Sequence, residues 1–379
     1  VSEQVPAERM AKLSRLPLRD DLHGLEPYGA PQLDVPILLN VNENTHGVPA
    51  DAKAAIMKAV ELSLAGLNRY PDRDFVELRT WLANYLGHNL SLSNIWAANG
   101  SNEVLQQILQ AFGGPGRSLL SFPPTYSMYP LLASGTGTKY LAGRRGEDFS
   151  LSASAAAEQV LEFSPNVVIL CSPNNPTGTS LGLDVVEAVY DAGAASQTIV
   201  IVDEAYAEFA QSDAPSALTL LPGRERLIVS RTMSKAFALA GARLGYLAAA
   251  EEITDALRLV RLPYHLSALT QATAIAALAH SESLQANVED IKVQRDRIVA
   301  GLRQLGLNPA RSDANFVFFS GVPDPQGLWQ GLLDVGVLIR DVGIAGSLRV
   351  TAGTEQETSA FLEHTARLLG NPVPHGSVD

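Results

Sequence analysis

Ser230–Tyr246 reads SRTMSKAFALAGARLGY. Lys235 stands there among small and hydroxyl-bearing residues, and Arg243 follows 243 − 235 = 8 positions later. The segment begins with a short apolar run, Leu227–Ser230, and closes on another, Leu244–Ala248, each the length of a buried strand. Two companion stretches lie upstream. SPNNPTGT, from Ser172, follows the apolar run Val167–Cys171, and VDEAYAEF, from Val202, completes the run Ile199–Val202. Ser118–Phe122 is a further strand candidate.

Helical periods separate these runs. Asp72–Gly87 places Phe75, Leu78, Leu82 and Tyr85 on one face and ends on glycine; Ser101–Gly113 does the same with Val104, Leu105, Ile108 and Phe112. Strands alternating with helices predict an α/β fold whose central sheet is mostly parallel and flanked by helices. Residues 1–35 hold four prolines and little periodicity, which predicts an extended N-terminal arm contributing part of a small domain. Residues 36–265 form the large domain in this reading. Residues 266–379 form a smaller α/β domain, with long helices, strands near Asn315–Ser320, Val337–Arg340 and Leu348–Thr351, and a capping box at Thr354–Glu357.

The chain has 379 residues, 46% hydrophobic and 18% charged, ordinary values for a globular protein. Its apolar runs are strand-sized, so no membrane association is expected. The N-terminus lacks the layout of a signal peptide. A single cysteine excludes an internal disulfide and fits a reducing compartment, here read as the cytoplasm. A net charge of −12 argues against nucleic acid as a partner. There is no HExxH, no paired-cysteine metal spacing and no GxxxxGK[ST] loop, so neither a metal site nor a nucleotide cradle is expected.

The three polar motifs fall at the carboxyl ends of buried strands, the edge where open α/β sheets bind ligands. Alone, each has a plain explanation: an aspartate capping a helix, a Pro-Gly turn, a solvated lysine. Together and in this order they fit pyridoxal phosphate. Lys235, flanked by Met233, Ala236 and Phe237, is partly buried in this reading. Burial favours the neutral amine that forms a Schiff base and then moves protons. Asp203, closing IVIVD, supplies the carboxylate that keeps the pyridine nitrogen protonated. Tyr206 and Asn175 reach the phenolic oxygen. Arg243, Ser234, Thr232 and the start of the Ser101 helix, with Ser101 and Asn102, offer donors to the phosphate. Asn99–Asn102 reads equally well as an ordinary helix cap.

Jointly the motifs resemble the fold-type I aminotransferases, from about Asn40 to Thr351. The resemblance implies the roles just given. It adds Tyr126, in SFPPTYSMY, stacked on the cofactor ring, and Tyr70, in NRYPD, reaching the phosphate from a second subunit, hence a homodimer. The finer resemblance is to the histidinol-phosphate aminotransferases in their actinobacterial form. It is carried by YGAPQLDVPILLNVNEN (28–44), NRYPDRD (68–74), WAANGSNEVLQQILQAFGGPGR (96–117), LVRLPYHLSALTQA (259–272) and GVLIRDVGI (336–344).

That family implies transamination between histidinol phosphate and 2-oxoglutarate, with glutamate as the amino donor in the reverse half, within histidine biosynthesis. It places Tyr28, Asn44, Tyr264, Arg340 and Arg349 around the substrate. Arg349 has a bidentate fork suited to carboxylate or phosphate, and Arg340 is either a second phosphate ligand or the ion-pair partner of Asp341. The chain departs from the family at Thr45-His46-Gly47, where proline and an aromatic residue or histidine are usual. Rival readings are an aromatic amino acid aminotransferase, a threonine-phosphate decarboxylase, and a cofactor-binding regulator without transaminase activity. The regulator would need a basic DNA-binding module, which residues 1–35 do not provide.

Overall fold

The computed structural model describes residues 15–23, 29 and 32–370. Seven strands form the central sheet: β2 (Ile95–Ala98), β3 (Ser118–Ser121), β4 (Lys139–Ala142), β5 (Val167–Cys171), β6 (Ile199–Asp203), β7 (Leu227–Thr232) and β8 (Gly245–Ala249). Their order is β2-β8-β7-β6-β5-β3-β4. Every pairing is parallel except the two that β8 makes, with β2 and β7. Residues of β5 to β8 are all buried, as unbroken Val/Ile runs between two helical layers require.

The reversal of β8 follows from its connection. Only a single 3-10 turn, Ala240–Ala242, lies between β7 and β8; the loop carrying Lys235 turns the chain back, and an antiparallel neighbour needs no crossover helix. Two strands of this sheet escape the sequence reading. IWAA of β2 is too short and alanine-rich to stand out, and KYLA of β4 is a half-exposed edge. The helix expected from Asp72 begins at Val76. Asp72 stays outside it, its carboxylate accepting from the amides of Asp74 and Val76, while Phe75 takes a left-handed φ of 39°.

A second sheet, in the order β12-β13-β10-β9, joins β9 (Asn308–Pro309), β10 (Phe316–Ser320), β12 (Arg340–Asp341) and β13 (Leu348–Thr351). β1 (Ile37–Leu38) pairs in parallel with β11 (Val337–Leu338), and the Thr351 amide donates to the Leu39 carbonyl. Residues 39–42 thereby reach the space between the two sheets. The capping box Thr354–Glu357 forms as expected.

Candidate active site

The loops leaving the carboxyl ends of β5, β6 and β7 meet the second sheet around a cavity of about 520 Å³. Of the residues singled out from sequence, Ser101, Asn102, Tyr126, Asn175, Asp203, Tyr206, Thr232, Ser234, Lys235, Arg243, Arg340 and Arg349 line it. Asn44 does not. Its amide donates to the backbone carbonyls of Lys235 and Ala236, at 3.1 and 3.3 Å, so it braces the lysine loop. Tyr70 and Tyr264 stand outside too, their rings stacked at 4.4 Å and Tyr70 79% exposed. Tyr28 lies outside the described residues.

Asp203 is the last residue of β6 and is buried. Its Oδ2 accepts a 2.8 Å hydrogen bond from the Tyr129 hydroxyl, and its Oδ1 has no partner. Burial pushes the carboxyl up to about 6, opposed by the Tyr129 bond and, less strongly, by the Ala205 backbone amide. The turn after it is clamped by Glu204. That carboxylate takes Arg231 at 2.8 Å, the Ser216 hydroxyl at 2.7 Å and the Ala217 amide at 2.7 Å. The clamp brings Tyr206 back to the cavity, where Asn42 Nδ2 donates to its hydroxyl at 3.0 Å.

Lys235 is half-buried, and its Nζ donates to the Val41 carbonyl at 3.1 Å. Burial first, and the Arg349 guanidinium second, push its ammonium down to about 8. Arg349 is buried on β13 and held by two acceptors, Asn175 Oδ1 at 2.5 Å and the Asn40 carbonyl at 2.7 Å. Arg340 is its register partner on β12. Among the described residues Arg340 makes no ion pair. The Asp341 carboxylate instead accepts from the Gly343 amide at 2.8 Å, which removes the surface-pair reading.

Across the cavity, the Ser101–Phe112 helix starts without a side-chain cap, because Gly100 occupies the N-cap. Ser101 and Asn102 are therefore not cap residues, and Asn102 Oδ1 is buried without a partner. Two glycines allow this helix end to approach. A Cβ on Gly245 would lie 2.1 Å from the Ser101 nitrogen, and one on Gly100, at φ +84°, would lie 2.5 Å from Arg243 Nη2. The Thr232 hydroxyl donates to Ser234 Oγ at 3.0 Å and fixes the rim of the lysine loop.

These residues fit pyridoxal phosphate. An unpartnered, buried carboxylate oxygen suits a cationic ring N–H, and a depressed lysine suits an aldehyde. The uncapped helix end beside Arg243, Ser234 and Thr232 suits a phosphate dianion. The sequence reading missed Tyr129 and Asn42. The motif SFPPTYSMY contained Tyr129, and NVNEN contained Asn42, but neither spacing reveals the partner across the sheet.

Fold and site together define a pyridoxal-phosphate enzyme of the aminotransferase kind. The family model for aminotransferase class I and II matches residues 34–364, and the chain belongs to that family. It is 73% identical over 369 residues to the histidinol-phosphate aminotransferase of Paenarthrobacter aurescens, spanning 97% of this chain and 99% of that protein. To the histidinol-phosphate aminotransferase of Frankia casuarinae it is 57% identical, over 94% of this chain and 91% of the other. Among solved structures, histidinol-phosphate aminotransferase from Sinorhizobium meliloti in complex with pyridoxal-5'-phosphate superposes with a TM-score of 0.81 at 26% identity, covering 89% of this chain and 91% of that one.

Proposed function

We propose that the protein transfers an amino group between histidinol phosphate and 2-oxoglutarate, using pyridoxal phosphate, in histidine biosynthesis. The observation that carries this reading is the arginine pair. Arg340 and Arg349 are direct cross-strand neighbours, and both line the cavity that holds Lys235. Like charges placed opposite each other on a sheet repel, and an anion between them turns that cost into binding. A phosphate monoester dianion in one half-reaction and a dicarboxylate in the other both match two guanidinium groups.

The cofactor, when bound, supplies an electron sink that acidifies the substrate Cα–H. Asp203 Oδ1, as an ionised acceptor, would keep the ring nitrogen protonated. The Tyr206 hydroxyl and the Asn175 amide would donate to the phenolic oxygen, and Tyr126 would lie against the ring. Lys235 Nζ, neutral above about pH 8, takes the proton from Cα as general base. Ser101, Asn102, Thr232, Ser234 and Arg243, all lining the cavity, would hold the phosphate of the cofactor. Arg349 and Arg340 orient the substrate anion so that Cα–H faces the lysine, and Asn44 keeps the lysine loop in place.

The active unit in this reading is a homodimer. Tyr70, Leu259 and Leu262 are 79%, 86% and 76% exposed, an apolar group that a second copy would cover, and Tyr70 and Tyr264 would complete the neighbouring site. Among the described residues no helix is long and apolar enough to cross a membrane, and we place the enzyme in the cytoplasm. The large domain is assigned to 36–265 and the small one to 266–379 with the arm. Turnover of purified protein with histidinol phosphate and 2-oxoglutarate tests the reading: formation of glutamate is expected, and its absence with cofactor bound would refute it.

A further inference from the structure

Tyr129 is the second residue of the helix Met128–Gly135 and is fully buried, its ring meeting that of Tyr126 edge-on at 5.5 Å. Its hydroxyl is the only side-chain donor to Asp203 among the described residues. The other ionisable groups around this pair are few. Cys171, at the end of the neighbouring strand, is a buried thiol pushed up to about 12 and therefore protonated. Glu204 follows Asp203 in the chain, but its carboxylate is taken by Arg231, Ser216 and the Ala217 amide. Arg145 approaches Tyr129 and Cys171 and donates to the carbonyls of Phe122 and Phe149. Burial holds the Tyr129 phenol well above its ordinary range, so the group remains a donor at every physiological pH.

We propose that Tyr129 is a positioning residue for the cofactor ring nitrogen: its hydroxyl ties down Asp203 Oδ2 and leaves Oδ1 alone to face the ring. The inference rests on the assignment of Asp203 above. A buried carboxylate with two free oxygens can rotate, and burial makes it more basic. The phenol opposes both tendencies, and lowers this carboxyl more strongly than the Ala205 backbone amide does. It fixes the plane of the carboxylate and, as a donor to the anion, keeps Asp203 ionised, so that the shared proton stays on the ring nitrogen.

Tyr129→Phe removes one oxygen and keeps the ring. Two readouts other than turnover apply: the nitrogen-15 resonance of labelled pyridoxal phosphate bound to the protein, and the Kd for reloading the apoprotein. The variant is expected to move the resonance from the protonated position towards the unprotonated one and to weaken reloading about tenfold, in line with losing a hydrogen bond to a charged group. Tyr140→Phe is the control, since its hydroxyl meets Ser121 at 2.8 Å away from the cavity, and it should change neither.

A wild-type resonance and Kd in Tyr129→Phe overturn the proposal. If that variant does not fold, fluorotyrosine placed at position 129 alone gives a second test. Its fluorine resonance should shift when cofactor binds and stay put in an Asp203→Asn background; no shift on binding also overturns the proposal. Asp203→Asn separates the two layers. Should it leave the ring resonance unchanged, the Asp203 assignment itself fails; should it move the resonance while Tyr129→Phe does not, only the role of Tyr129 falls.

Discussion

At the sheet end of the cavity, Asp203, Tyr206 and Lys235 are each held by a bond from the same chain, to Tyr129, Asn42 and Val41 respectively. At the far end, Arg340 has no ion-pair partner among the described residues and faces Arg349 across the strand register, and outside the cavity the Tyr70–Tyr264 stack stands open. The first end is a set of oriented dipoles in a dry environment, which needs no reorganisation when charge develops. The second is two facing cations and an apolar group awaiting an anion and a second copy. One chain thus orients most of the proposed cofactor cradle by itself, with Tyr70 of a second copy left to reach the phosphate in the proposed dimer, whereas the substrate end is finished by what binds to it.

Lys235→Ala should break the sheet end most completely. Turnover with histidinol phosphate is expected to fall by about 10³-fold or more, because the group that moves the Cα proton is gone, and the colour of the loaded enzyme should be lost. Full activity would remove the basis of the assignment.

Asp203→Asn should cost about 10²–10³-fold in kcat, read from steady-state kinetics at saturating cofactor. The same variant should behave oppositely in stability. Folded Asp203 holds its proton up to about 6 against an ordinary 3.8, so this carboxyl costs nothing below 3.8 and lowers stability increasingly as pH rises to about 6. Apoprotein carrying asparagine is therefore expected to melt a few degrees higher than wild type at neutral pH, with the difference vanishing near pH 4. A lower Tm at neutral pH would contradict the burial argument.

The substrate end should respond more mildly. Arg349→Lys loses the fork that joins Asn175 to the Asn40 carbonyl beside the proposed anion site, and kcat/KM is expected to drop about 10–100-fold in both half-reactions. A loss confined to glutamate would shift phosphate recognition to Arg340. Smallest of all, Tyr70→Phe should weaken cofactor retention only several-fold, as one hydrogen bond at a rim does. That effect should appear only at protein concentrations where sedimentation shows a dimer.

What the sequence disclosed divides along the same line. The strand-end motifs place Asp203, Asn175, Tyr206 and Lys235 locally, each within a few residues of an apolar run, so their arrival at one edge could be read before any coordinates. Tyr129 and Asn42 lie 74 and 164 residues from the side chains they hold, and no local pattern announces such a pairing. The reversed β8 was hidden because the lysine loop, unlike a helix, leaves no period. Gly245 looked like any glycine until the Ser101 helix was seen to rest against it. At Arg340 the sequence offered a substrate phosphate and Asp341 with equal force; the structure turns the Asp341 carboxylate to the Gly343 amide and faces Arg340 to Arg349, a register no local pattern announces.

The most direct test of the account is a single-turnover titration of the purified pyridoxal form, with histidinol phosphate in one cuvette and phenylalanine in another. Rapid conversion to the pyridoxamine form by low concentrations of histidinol phosphate, and little by phenylalanine, is the predicted result. Conversion by phenylalanine in preference to histidinol phosphate would contradict the account, and would assign the Thr45–Gly47 departure to a change of substrate.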